Sequence, residues 1–172
     1  NKIDYTLING KTSTLSDVDG HTMNGLLELG TKNTYTTNFT KSNFDSAILH
    51  LYNYGYTDNV YLAINPADKT TVEKILKEGL TLNVENGQSR IGFPIFSYIT
   101  NLGIVMNIIM DTNISTGTFM FFSLNGIEVP VLIPVTPYKI GADKGSYTGT
   151  AIETELTVIA TPYNVVTFTK GE

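Results

Sequence analysis

The chain has 172 residues, of which 41% are hydrophobic and 16% are charged, with a net charge of -5. The length fits one domain, or one domain plus part of another, and needs no disulfide or metal to stabilise a core. Arg90 is the single arginine and the lysines are scattered, which excludes direct DNA or RNA binding as the main function. The absence of cysteine excludes disulfides and thiolate chemistry. No apolar run approaches the 18 residues that a membrane-spanning helix needs, so no membrane partner is expected.

Residues 1–38 are predicted to be largely irregular. Four apolar residues near the start are consistent with the end of a helix or of a strand: Ile3, Tyr5, Leu7 and Ile8. Asn9-Gly10 then gives a stop signal. The polar residues 12–38 show little periodicity, which predicts an extended loop with one short element near Met23.

A first helix is predicted from Ser42. Ser42 and Asp45 have the spacing of a capping box, and Gly55 is a C-terminal stop. The residues of the predicted inner face are Phe44, Ala47, Ile48, Leu51 and Tyr52.

A buried strand and a second helix follow this first helix. The apolar run Val60–Ile64 predicts the strand. Asn65 is a suitable N-cap, Pro66 fits the first turn, and Asp68 lies close to the positive helix end. Val72, Ile75 and Leu76 form the inner face, and Gly79 ends the helix.

The remainder of the chain is rich in β segments. Alternating apolar residues around Asn86-Gly87 predict a hairpin within residues 80–102. Further strands are predicted at Ile104–Met110, Phe119–Leu124, Ile127–Ile133, Ala151–Ala160 and Val165–Thr169. A long loop is expected at Pro134–Gly149. This order predicts an α+β fold, with a central mixed sheet, two flanking helices and a β-rich C-terminal part.

Catalytic chemistry has little support in the sequence. Glu153 and Glu155 share one face of a predicted strand, with Glu128 as a possible neighbour, so a small hydrolase is one alternative. Two carboxylates on an exposed strand face are equally typical of a solvated surface. His21 and His50 lack catalytic partners, and the turn before His21 lacks the later acidic ligand of a calcium loop. No enzyme activity, cofactor or metal site is therefore predicted.

The tyrosines offer a second alternative. Tyr54 and Tyr56 are candidates for the platform of a β-rich binding module, such as an adhesin or a carbohydrate-binding domain. Tyr52 and Tyr61 are expected to pack between helix and sheet. Phe119, Phe121 and Phe122 are expected in the core, and the two predicted helices argue against a pure sandwich.

The order of the motifs resembles that of tailed-phage major capsid proteins with the HK97-type fold. The residues that carry the resemblance are Asp4–Gly10, Met23–Leu27, Asp58–Lys69, Gly103–Met110, Gly117–Leu124, Asp143–Gly145 and Leu156–Val158. The resemblance implies that an N-terminal arm, an extended loop and most of a spine helix lie before Asn1. It divides the chain into the end of the peripheral-domain spine region and a connecting loop (1–38), an axial domain (39–135), and a connecting loop with strands that return to the peripheral domain (136–172).

The function that this resemblance implies is that of a non-enzymatic shell subunit. Copies would meet laterally in pentamers and hexamers of an icosahedral capsid, with scaffold or decoration proteins as further partners. Assembly would take place in the host cytoplasm, and the mature location would be the virion. The residues expected at the contacts are Asn86, Arg90, Asp111, Asn113, Lys139, Asp143 and Lys144. An encapsulin-like compartment shell remains open beside the phage capsid.

Overall fold

The computed structural model describes residues 8, 25–78, 97–141 and 148–171. The helices are α1 (Leu26–Leu29), α2 (Lys41–Asn53) and α3 (Lys69–Glu78), and a 3₁₀ turn, Pro66–Asp68, precedes α3. The strands are β1 (Thr31–Tyr35), β2 (Val60–Ile64), β3 (Ser97–Ile99), β4 (Val105–Met110), β5 (Thr118–Ser123), β6 (Val131–Gly141), β7 (Thr148–Leu156) and β8 (Val165–Lys170).

Six of the strands form one mixed sheet in the order β1-β8-β5-β2-β4-β3. β1 is parallel to β8 and β2 is parallel to β4, whereas β5 is antiparallel to both β8 and β2. The short edge strand β3 is antiparallel to β4. The predicted central mixed sheet is therefore confirmed.

Alternating side chains of the sheet form two apolar layers. Phe119 and Phe121 of β5 lie in the larger layer, where the buried residues of α2 and α3 cover the sheet. Met120 and Phe122 point to the opposite side, where they pack with the partly buried Leu26 and Leu27 of α1. Because residues of both α2 and α3 belong to the first layer, these two helices lie on the same face of the sheet.

The block from α2 to α3 follows from local sequence signals. The apolar face of α2 is buried through Phe44, Ala47, Ile48 and Leu51, and Gly55 beyond its end has a φ of +80°. The Asn65 side-chain oxygen accepts a hydrogen bond from the Ala67 backbone N–H at 3.0 Å, as predicted for a cap. The residue after Asn65 opens a 3₁₀ turn, and the α-helix begins only at Lys69. Val72, Ile75 and Leu76 are buried as expected, whereas Gly79 lies outside the described residues.

Three local predictions were wrong. Residues 12–38 are predicted to form an extended loop with one short element near Met23, but in the described part of this range Thr31–Tyr35 is a strand, because β8 supplies it with a partner far along the chain. The capping box of Ser42 and Asp45 does not form: α2 begins one residue earlier, after Thr40, whose hydroxyl instead donates to the Asn43 side chain. Tyr52 is exposed, because the inner face of α2 ends at Leu51.

The largest correction concerns the predicted loop Pro134–Gly149. β6 continues to Gly141 and β7 begins at Thr148, and the two pair as an antiparallel ribbon. Two prolines inside β6 suggested a loop, but prolines are tolerated where a strand has only one partner or an irregular register. The register shifts near Pro134. The predicted strand Ile127–Ile133 is correspondingly wrong at its start, where only the single bridge between Glu128 and Ile159 forms.

Candidate functional site

The proposed carboxylate pair does not gather into a recognisable site. Glu153 and Glu155 lie on β7, where they pair with Thr136 and Ile133. Glu128 belongs to the separate bridge with Ile159 at the foot of the ribbon. Within the described residues, no group of three or more His, Asp or Glu side chains is placed to hold a metal ion.

His50 is a packed side chain. Its ring lies 4.9 Å from the Tyr54 ring, and its Nε2 is buried with no hydrogen-bond partner. Burial lowers the pKa of the imidazole, because removal from water disfavours the charged form. A neutral, half-buried histidine fits the packing of α2.

The tyrosines form a pair that differs from the predicted one. Tyr54 stacks on Tyr163, with ring centroids 4.4 Å apart, and both rings are about half exposed. The Tyr56 hydroxyl instead lies 3.1 Å from the Thr161 hydroxyl. Tyr61 stacks on Phe122 in the smaller apolar layer, on the sheet face opposite α2 and α3, and not between these predicted helices and the sheet.

The seven predicted contact residues divide into two groups. Asn86, Arg90, Asp143 and Lys144 lie outside the described residues. The backbone of Lys139 lies in β6, opposite Thr150. Asp111 and Asn113 occupy the segment Asp111–Gly117 between β4 and β5, which we call the β4–β5 loop.

The first half of the β4–β5 loop is stabilised by local hydrogen bonds. The Asp111 backbone N–H donates to the Ile64 carbonyl at 2.9 Å, which ties the loop to the end of β2. The Asp111 carboxylate accepts from the Asn113 backbone N–H at 2.8 Å and from its side-chain amide at 2.9 Å. These bonds make Asp111 a turn-forming residue of the loop.

The second half of the loop is held by side chains from elsewhere in the fold. Gly117 donates its N–H to the Asp68 carboxylate at 2.7 Å, and its carbonyl accepts from the Tyr35 hydroxyl at 2.8 Å. The Asn65 amide donates to the Ile114 carbonyl at 2.6 Å. Burial, and secondarily the charge of Asp68, raise the pKa of Tyr35, so its phenol keeps the proton that it donates.

An apolar surface that the sequence analysis did not single out lies on β3 and β4. Ile99 is 68% exposed and Val105 is 53% exposed, and the two are direct cross-strand partners. Ile109 extends this surface along β4, on the sheet face opposite α2 and α3. No charged residue occurs from residue 97 to residue 110. This uncharged stretch is the feature of the sequence from which the apolar surface could have been suspected.

A second exposed apolar group lies at the foot of the β6–β7 ribbon. Val129, Val131 and Ile159 are each about half exposed beside the Glu128–Ile159 bridge. Among the described residues there is no helix of the length and hydropathy required to cross a membrane.

Comparisons with known proteins add a family and a fold. Residues 1–165 match the family model described as SU10 major capsid protein. No curated protein sequence matches the chain significantly.

The chain is similar to solved structures of capsids and virus-like particles, among them these three. The capsid of an empty GTA particle is 13% identical, with a TM-score of 0.55 over 98% of this chain and 60% of that one. The virus-like particle from Pyrococcus furiosus is 17% identical, with a TM-score of 0.48 over 82% and 55% of the two chains. Mycobacterium phage Patience is 14% identical, with a TM-score of 0.49 over 79% and 43%. The chain thus spans roughly half the length of these proteins. At these identities the likeness to the GTA capsid shows the fold alone, and that fold is the HK97-like one predicted from the sequence motifs.

Proposed function

We propose how this chain works from one premise, which is that it belongs to the SU10 major capsid protein family. Its role is accordingly structural: the chain is a subunit of a phage capsid, located in the virion, and its partners are other copies of itself. We propose further that the copies meet laterally in pentamers and hexamers. Scaffold or decoration proteins and assembly in the host cytoplasm belong to the same proposal.

The observation that carries this function is the charge-free apolar surface on β3 and β4. Edge strands of monomeric proteins are normally protected by lysine, proline or other charged residues, because an unprotected edge invites pairing with another chain. From residue 97 to residue 110 this chain has none of these protections, and Ile99 and Val105 are more than half exposed. In a family of shell proteins, the occupant that fits such a surface is a second copy of the chain.

The β4–β5 loop is the second contact that we propose. Thr112, Ser115 and Thr116 are its exposed side chains, and Asp111 and Asn113 shape it from within. For Asn86, Arg90, Lys139, Asp143 and Lys144, a role at contacts is proposed on the family resemblance alone.

The division into domains is also a proposal. Residues 39–135 would hold most of the axial domain, 1–38 would come from the peripheral spine region, and 136–172 would return towards the peripheral part. A boundary after residue 135 would fall inside β6, whereas the pairing of the described strands β6 and β7 only with each other supports a boundary nearer the Glu128–Ile159 bridge. β1 and β8 extend the six-stranded sheet, so the flanking ranges also contribute strands to the body.

Assembly of Val105→Lys tests the function. Because position 105 is 53% exposed, the fold should accommodate a lysine there. The lysine places a charge in the proposed contact, so we expect particle formation to be lost. Leu49→Lys is the matched control, because Leu49 is 48% exposed on α2, away from β3 and β4. Particle formation is measured by electron microscopy and sedimentation of the protein as its gene encodes it.

Two results would contradict the proposal in different ways. If the wild-type protein forms no particles or rings under any assembly condition, the capsid function is wrong. If Val105→Lys and Leu49→Lys both assemble like wild type, the function stands but the β3–β4 surface is not the contact.

A further inference from the structure

The Asp68 side chain is largely buried, in a position where a charged carboxylate is energetically unfavourable. It is 9% exposed, within the 3₁₀ turn before α3. Burial of a charged group is unfavourable unless hydrogen bonds compensate for the lost water. The compensation here is the 2.7 Å bond from the Gly117 N–H, so a buried charge is used to fix one backbone amide of the β4–β5 loop.

Tyr35 holds the carbonyl of the same residue, Gly117. Its hydroxyl donates to the Gly117 carbonyl, while its ring packs against Phe39 at a centroid distance of 5.7 Å. The Lys170 N–H donates to the same carbonyl at 3.2 Å. Gly117 is therefore held by β1, by β8 and by the turn before α3, all distant from it in sequence.

The remaining anchor lies on the opposite side of the loop. The Ile114 side chain is fully buried in the smaller apolar layer, and its carbonyl accepts the 2.6 Å bond from Asn65. Ser115 and Thr116 are exposed and lie between Ile114 and Gly117, whose hydrogen bonds restrict the backbone on either side of them. A segment ordered before binding loses less conformational entropy when it binds.

We propose that Asp68 and Tyr35 are positioning residues that hold the β4–β5 loop as a preformed contact for a second copy of the chain. This inference rests on the proposed function and adds to it the residues that set the geometry of one contact.

Three substitutions test the positioning role. Tyr35→Phe removes the hydroxyl but keeps the ring among Phe39 and Phe119. Asp68→Ala removes the acceptor for Gly117, and Asp68→Asn restores an acceptor of the same shape without the charge. We expect Tyr35→Phe and Asp68→Ala to speed amide exchange within residues 111–117 and to slow assembly by about tenfold, whereas Asp68→Asn assembles close to the wild-type rate.

Ser123→Ala is the matched control at the other end of β5. The buried Ser123 hydroxyl donates to the Asp58 carbonyl at 2.7 Å and accepts from the Asn125 N–H, so its loss removes a comparable side-chain clamp. This variant should lower the urea midpoint of unfolding while leaving assembly and exchange of the β4–β5 loop unchanged.

The possible failures are distinguishable. Faster loop exchange with wild-type assembly overturns the positioning role and leaves the capsid function intact. The positioning role is also overturned if Ser123→Ala and Tyr35→Phe lower the urea midpoint equally and slow assembly equally, because the slower assembly would then follow from lost stability alone. Only a wild-type protein that fails to assemble would overturn both proposals.

Discussion

Gly117 has a backbone conformation that side-chain-bearing residues rarely adopt. Its φ is +78°, and a Cβ built at this position would lie 3.2 Å from the Tyr35 hydroxyl and 3.4 Å from the Lys170 Cβ. Gly103, in the turn between β3 and β4, has the same φ of +78° but no atom within 4 Å of such a Cβ. The two glycines therefore separate the cost of the backbone conformation from the cost of crowding.

Gly117→Ala should be more destabilising than Gly103→Ala. The left-handed conformation alone costs an alanine roughly 1–2 kcal/mol, which both variants bear. Gly117→Ala additionally has to displace the Tyr35 hydroxyl or the Lys170 side chain, at a cost of about 1 kcal/mol or more. Urea unfolding of the two variants measures the difference. If the two variants lose equal free energy of unfolding, the Tyr35 and Lys170 side chains move away from the added methyl group at no measurable cost.

At the scale of elements, β6 and β7 form a two-stranded sheet that is separate from the six-stranded sheet. Isolated two-stranded ribbons are marginally stable in water, whereas a strand in the middle of a sheet is protected on both sides. The described strands β6 and β7 pair only with each other, while β5 lies between β8 and β2 with all six residues buried.

Amide exchange should separate these two parts of the molecule. In the unassembled protein we expect the amides of β6 and β7 to exchange many times faster than those of β5, because each ribbon strand is paired on one side only and opens more easily than a strand paired on both sides. In assembled particles the ribbon amides should become protected. Protection of the ribbon equal to that of β5 in the unassembled protein would show that the ribbon is stabilised without a neighbour.

Elements with a strong local signal were predictable from the sequence, and those that depend on distant partners were not. The apolar run of β2 predicted its limits, Val60–Ile64, and four of the five positions that the spacing in α2 predicted to be buried are buried. The strand Thr31–Tyr35 carries no apolar alternation, and it exists because β8 pairs with it from the other end of the chain. In β6 the local signal was misleading. Its two prolines predicted a loop, but a strand that pairs with β7 forms there because prolines are tolerated in a strand with one partner and an irregular register.

The candidate contacts show the same division. The position of Asp111 in a loop could be inferred from its turn-forming neighbours, but its role as the acceptor for Asn113 required the fold. The clamp of Asp68 and Tyr35 on Gly117 joins three segments that are remote in sequence, so no spacing indicates it. The sequence shows that residues 97–110 carry no charge, but a buried strand would show the same pattern. Only the structure shows that Ile99 and Val105 face solvent and form a surface.

At the scale of the whole molecule, the chain is acidic, whereas the exposed side chains of the β3–β4 surface and of the β4–β5 loop are uncharged. Each copy carries a net charge of -5, so copies repel one another at long range. The proposed contact on β3 and β4 is charge-free, and the exposed side chains of the β4–β5 loop are neutral. Association between copies should therefore be driven by burial of apolar surface and opposed by the overall charge.

The salt dependence of assembly follows from this difference. Screening shortens the range of the repulsion to about 8 Å at 0.15 M ionic strength, while apolar contacts are unaffected. Assembly of the wild-type protein, followed by light scattering, should accelerate as sodium chloride rises from low concentration to this range. Val105→Lys should stay deficient at every concentration, because screening does not remove the cost of burying an unpaired charge. Assembly that weakens with added salt would instead indicate contacts made by ion pairs, and would exclude the β3–β4 surface as the dominant contact.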